Sequence, residues 1–175
     1  MKLNIGCGSK ILKDWINIDK FPIDDRVVYG DLNEKIGLPD ACADEILLDN
    51  VIEHVDAVET VMEEMFRLLK VGGVLRIYTP HYSSQSSWRD PTHRHHLSYF
   101  SFDYFCGAKR GYIGGSTFYT LEKKLSFGGG LSILGRLIHR YSPAAYEKNF
   151  CFIFPASTIR VTLRKIDLAV PAYGV

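Results

Sequence analysis

Between Leu3 and Pro80 the apolar residues fall in short runs separated by polar turns, with a single stretch that follows helical spacing. That alternation predicts an α/β chain: a doubly wound, mostly parallel sheet with helices on both faces. Leu3-Asn4-Ile5 reads as a first strand, Trp15-Ile16-Asn17-Ile18-Asp19 as a second and Val27-Val28-Tyr29-Gly30-Asp31 as a third. Leu38-Pro39-Asp40 is prone to turn, and the apolar run of Ala43–Asp49 behind it suits a fourth strand at the sheet centre. From Val55 to Lys70 the positions Val58, Val61, Met62, Met65, Leu68 and Leu69 share one helical face. Lys70 then falls in the last turn of that helix and Gly72-Gly73 supplies a left-handed stop. Val74–Tyr78 begins a fifth strand, which Pro80 ends.

Beyond that point the pattern changes. His81 to His96 is polar, aromatic and rich in turn formers, which predicts an ordered loop at the carboxyl end of the fifth strand, where open α/β sheets bind ligands. Leu97–Phe105 is expected to be a short aromatic helix and Gly107–Gly111 a turn. Thr117–Phe127 and Ile159–Ile166 read as the last two strands, with a helix over Leu131–Arg140 between them. Tyr141–Phe154 is expected to form a lid or an interface, as in a homodimer, although its aromatic residues would serve equally well in the core.

Composition narrows the function classes. The 175 residues are 46% apolar and 23% charged, ordinary for one domain over residues 1–175. A formal net charge of +1 offers no basic field for duplex nucleic acid. No run approaches the roughly 18 apolar residues that span a bilayer. Leu3 already opens the first strand, so a cytoplasmic protein without a signal peptide is expected. Cys7, Cys42, Cys106 and Cys151 lack Cys-x-x-Cys spacing and read as reduced thiols without metal.

The richest local signal is the turn Gly6-Cys7-Gly8 after the first strand, with Asp19 closing the second. Strand, Gly-x-Gly turn and terminal acid make a nucleoside-binding edge. A dinucleotide site would add a third glycine and a long helix whose N-terminus meets a pyrophosphate. Here Ser9–Lys13 leaves room for about one turn, so a cofactor without phosphate fits better. S-adenosylmethionine requires close backbone approach at the glycines and a carboxylate for both ribose hydroxyls, for which Asp19 is the candidate.

These residues resemble class I S-adenosylmethionine-dependent methyltransferases, on the anchors Leu3–Gly8, Asp19, Gly30-Asp31-Leu32, Asp49-Asn50-Val51-Ile52-Glu53-His54 and Leu69–Leu75. The resemblance implies a Rossmann-like sheet of seven strands with the last antiparallel. It also implies that Gly6, Cys7 and Gly8 approach the methionine part of the cofactor, Asp19 holds the ribose, and Asp31 with Leu32 frames the adenine. Asn50 and His54 would border the methyl-transfer pocket. The link from Gly8 to Asp19 is shorter than in most members. Trp88-Arg89-Asp90-Pro91-Thr92-His93-Arg94-His95-His96 resembles small methyltransferases found with polysaccharide and glycolipid biosynthesis genes, which implies a saccharide-linked hydroxyl acceptor.

Transfer to a hydroxyl calls for a base within reach of the acceptor. His93 is the first candidate, with Asp90 orienting it or binding a sugar hydroxyl, and His54 the second. Arg89 and Arg94 could clamp a phosphate or carboxylate of the acceptor, and His81, Tyr82 and Trp88 could line its platform. Each also has a plain reading as a turn acid, a solvated charge or a core ring. His93, His95 and His96 with His81 and Asp90 could hold a metal, but adjacent His95 and His96 point apart, and no metal is expected. The alternatives are a noncatalytic S-adenosylmethionine-binding subunit of a partner protein, a protein or RNA methyltransferase, and an NAD-dependent oxidoreductase.

Overall fold

The computed structural model describes residues 1–107, 117–130 and 132–166. Seven strands form one sheet in the order β3-β2-β1-β4-β5-β7-β6. They are β1 (Lys2–Ile5), β2 (Ile16–Asp19), β3 (Val27–Tyr29), β4 (Ala43–Asp49), β5 (Leu69–Pro80), β6 (Phe118–Phe127) and β7 (Ala156–Lys165). The pairings among β1 to β5 are parallel, and β7 runs antiparallel between β5 and β6. The expected count and the antiparallel last strand are thus both present. Helices α1 (Val58–Leu68), α2 (Gln85–Arg89), α3 (Ser132–Tyr141) and α4 (Pro143–Asn149) lie around it.

Helix α1 buries Val58, Val61, Met62, Met65 and Leu68, the face read from the spacing. It ends two residues earlier than expected, because Leu69 is already extended and pairs with Ala43. Gly72, at φ +82°, therefore does not stop the helix. It lies in an irregularity of β5 that lets Val74 resume the pairing opposite Glu45. Lys165 Nζ donates to the carbonyls of Phe66 and Leu69 at 2.7 and 2.8 Å, closing the end of α1.

Between Gly8 and β2 there is no helix, as the short link predicted. What covers the sheet there is a loop pinned by two buried asparagines at paired positions of β1 and β2. Asn4 Nδ2 donates to Asn17 Oδ1 and to the Lys10 carbonyl, both at 2.8 Å. Asn17 Oδ1 accepts from Leu12 N–H at 2.9 Å, and its Nδ2 donates to the carbonyls of Leu12 and Trp15. The loop's backbone groups are thus satisfied by side chains where a helix would satisfy its own.

The segment Tyr141–Phe154 divides between the two expectations. Tyr146 and Cys151 are buried, whereas Tyr141, Phe152 and Ile153 are exposed. Within the expected loop after β5, Gln85–Arg89 forms α2, and Leu97–Phe105 narrows to a 3-10 turn over Ser101–Phe105. In the expected Gly107–Gly111 turn, residues 108–111 lie outside the described residues, as does Leu131. Among the described residues no helix is long and apolar enough to cross a membrane.

Candidate functional site

The site is built on the carboxyl ends of the parallel strands. Gly6, at φ +68°, turns the chain after β1, and a Cβ there would lie 2.5 Å from Val51 Cγ2. Gly6 is therefore required both for its conformation and for its closeness to the segment after β4. Gly8, at φ +50°, donates its N–H to Asp19 Oδ2 at 2.7 Å. Asp19 Oδ1 accepts from Phe21 N–H at 2.9 Å, so the carboxylate is held by one donor on each oxygen and keeps lone pairs for a ligand. Cys7 is buried, and burial, followed by the Asp19 charge, raises its thiol pKa.

A cavity of about 460 Å³ opens beside this turn, lined by Gly6, Asp19, Asp31, Leu32, Asn50 and His54 among others. Asp31 sits 2.7 Å from Lys20 Nζ and accepts from Asn33 N–H at 2.9 Å. The lysine contact, then the backbone one, lowers its carboxyl below the usual range. The glycine turn, the held carboxylate and an adjoining cavity floored by Leu32 fit a nucleoside with a short polar tail. Among the described residues no helix follows the glycine turn before β2. Lys10 follows the glycine turn, its N–H on the Cys7 carbonyl at 2.8 Å and its ammonium paired with Asp49 at the end of β4.

A second cavity of about 520 Å³ is lined by Asn50, Glu53, His54, Pro80, Ser86, Arg89, Asp90, Pro91 and His93. Asn50, at φ +57°, and His54 line both cavities and so mark where they meet. Asp90 Oδ1 accepts from the Thr92 hydroxyl at 2.7 Å and from Thr92 N–H at 2.8 Å, contacts that lower its pKa. The Thr92 hydroxyl lies 3.0 Å from His54 Nδ1, and His93 Nδ1 lies 2.9 Å from the Ser87 carbonyl. Glu53 is buried, with one oxygen accepting from the Thr79 hydroxyl at 2.9 Å, and burial pushes its carboxyl pKa up.

The structure thus brings together His93, Asp90, His54, Arg89 and Asn50 in one cavity, and Gly6, Asp19, Asp31 and Leu32 in the other. Other expected residues are placed elsewhere. His81 is fully buried, 3.0 Å from Glu147 Oε1 and 2.7 Å from Ser83 Oγ, so it ties the end of β5 to α4. Tyr82 donates to the Glu147 carbonyl and meets Cys151 Sγ at 3.1 Å. Trp88 stacks on His96 at 3.7 Å and donates to the Tyr82 carbonyl. Arg94 lines the cavity beside the glycine turn and pairs with Asp56. Sequence reasoning passed over Glu53, although an acid after Asn50-Val51-Ile52 has no packing reason to be buried. It also passed over Lys10 and the Asn4–Asn17 pair, whose signal was one amide at the centre of each of two apolar strands.

Residues 10–77 match the model of the methyltransferase domain family. The fold resembles that of the Bacillus subtilis YcgJ protein, 14% identical, with a TM-score of 0.61 over 95% of this chain and 92% of that one. A S-adenosylmethionine-dependent methyltransferase of Archaeoglobus fulgidus, 20% identical, matches with a TM-score of 0.61 over 94% of this chain and 85% of its own. A chain in the complex of the Haloferax volcanii Trm112 methyltransferase activator with a methyltransferase is 12% identical, with a TM-score of 0.58 over 95% and 82%. No curated protein matches the sequence. Over residues 10–77 the chain is thus similar to a methyltransferase domain, and its fold is the one found in S-adenosylmethionine-dependent methyltransferases such as that of Archaeoglobus fulgidus.

Proposed function

We propose that the protein transfers a methyl group from S-adenosylmethionine to a hydroxyl of a small polar acceptor, such as a saccharide-linked one. The observation that carries this reading is the meeting of the two cavities at Asn50 and His54, one suited to a nucleoside and the other polar. Bound S-adenosylmethionine supplies a methyl group on a positively charged sulfur. The chain's own residues do the rest. Asp19 receives the ribose hydroxyls on the lone pairs left by Gly8 and Phe21, and Leu32 lies against the adenine. Lys10, the cation beside the glycine turn, offers the methionine carboxylate the positive charge that a helix N-terminus would otherwise give.

On the acceptor side the main task is alignment of the nucleophile and exclusion of water. The Ser87 carbonyl accepts only, so it fixes the proton of neutral His93 on Nδ1 and leaves Nε2 as the base for the acceptor hydroxyl. Arg89 offers paired donors to a phosphate or carboxylate on the acceptor. The test is formation of S-adenosylhomocysteine with a panel of glycosides, sugar phosphates, amines and RNA. Turnover with hydroxyl acceptors that falls about a hundredfold or more in His93→Ala is the expected result. Turnover confined to amines or RNA overturns the acceptor class.

A further inference from the structure

The acceptor cavity contains a group of side chains whose polar atoms are left over once every hydrogen bond is assigned. Glu53 is 1% exposed, and its Oε1 has no hydrogen-bond partner while Oε2 takes the Thr79 hydroxyl. Beside it stand His54 and His93, their ring centroids 4.6 Å apart at an angle of 73°. One ligand atom from each of Glu53, His54 and His93 lies within 4.8 Å of the others.

The proton positions on the rings follow from their partners. His93 Nδ1 must donate to the Ser87 carbonyl, so Nε2 keeps its lone pair. The Thr92 hydroxyl gives its only proton to Asp90 and so accepts from His54 Nδ1, which leaves the lone pair of His54 on Nε2 as well. The three residues whose ligand atoms lie this close thus hold a buried, unpartnered carboxylate oxygen and two imidazole lone pairs. Each imidazole is also held from behind, by a backbone carbonyl in one case and through a hydroxyl to a carboxylate in the other. That is how proteins present histidines to a metal. The histidines weighed from sequence are not part of it: His95 Nε2 contacts the Val55 carbonyl, and His96 meets Ser87 and Trp88.

We propose that Glu53, His54 and His93 bind one divalent transition-metal cation of the zinc, manganese or iron type. Two nitrogens and one oxygen suit such ions, and three protein ligands leave coordination positions open. The inference deepens the proposed methyl transfer and rests on it for its role only. An acceptor hydroxyl on the ion would lose its proton to water more readily, in place of direct transfer to His93.

Metal binding is measured on the whole chain without an affinity tag, after chelator dialysis, with neither cofactor nor acceptor present. Co²⁺ is titrated by visible absorption and Zn²⁺ by calorimetry. One ion per chain is expected, lost in His54→Ala and His93→Ala and in Glu53→Gln, and kept in His95→Ala and His96→Ala. Thr92→Val, which releases His54, should weaken binding about tenfold to a hundredfold. Asp19→Ala should bind the ion normally, which separates failure of the cofactor reading from failure of this one. Circular dichroism checks that each variant folds. Should Glu53→Gln fail to fold, the half-exposed histidines carry the test. Absence of a stoichiometric ion in the wild type, or equal binding in the folded histidine variants, overturns the proposal.

Discussion

Asp19 is held in place by its own backbone neighbours. Gly8 N–H on one oxygen and Phe21 N–H on the other hold the carboxylate in the lining of the cavity beside the glycine turn. Asp19→Ala should therefore weaken S-adenosylmethionine binding by about 3 kcal/mol or more, roughly a hundredfold, because bonds to a charged acceptor are lost from both ribose hydroxyls. Calorimetry checks this. Gly6→Ala meets a different obstacle, a left-handed backbone and a Cβ 2.5 Å from Val51. It should lower the melting temperature as well as the affinity, whereas Gly8→Ala, with no atom within 4 Å of its added Cβ, should suffer backbone strain alone. The meeting of Asp19 with the glycine turn was legible in the sequence because the turn and the acid close two neighbouring apolar strands. Glu53 was not, since its significance lies in the missing partner of Oε1, and partners are a property of the fold.

At the scale of the element, the segment from Ser9 to Trp15 replaces a helix with a loop. Its backbone groups depend on Asn4 and Asn17, so Asn17→Leu should cost about 3 kcal/mol by stripping partly buried carbonyls and an N–H, and the buried Asn4 amide, of their partners. Thermal melting reads the loss. A drop no larger than that of an exposed substitution would contradict the role assigned to the pair. The absence of a helix was legible from length alone. The means of covering the sheet was not, because the amides act through their register, Asn4 opposite Asn17. Helix α1 was legible for its buried face but not for its end, since pairing of Leu69 with Ala43 outcompetes continuation of the helix to Lys70.

Across the whole molecule the strand count and the antiparallel β7 agreed with the expectation from resemblance, while the packing of the last third was read least well. There the aromatic residues gave no period, and contacts decided which were buried. His139 is packed among Tyr99, Phe127 and Tyr146, and its Nε2 has no partner. Burial depresses its pKa below the ordinary 6.5, with His81 and Lys123 adding to the effect and Glu147 opposing it. The folded state therefore prefers the neutral ring. Its contribution is intact above pH 6.5 and is lost as the pH falls through that value toward the depressed one, because the unfolded chain takes up the proton first. The melting temperature should fall on acidification from neutral to below that window, and His139→Leu should fall less. Equal losses in both proteins would contradict this.

The central claim is that the two cavities meeting at Asn50 and His54 serve one cofactor and one acceptor. Its most direct test is calorimetric titration of the wild-type chain with S-adenosylmethionine and S-adenosylhomocysteine, with NADH as control. One site per chain with micromolar affinity for both, about 8 kcal/mol, and none for NADH is expected. Failure of both ligands to bind, or binding of NADH in their place, would contradict it.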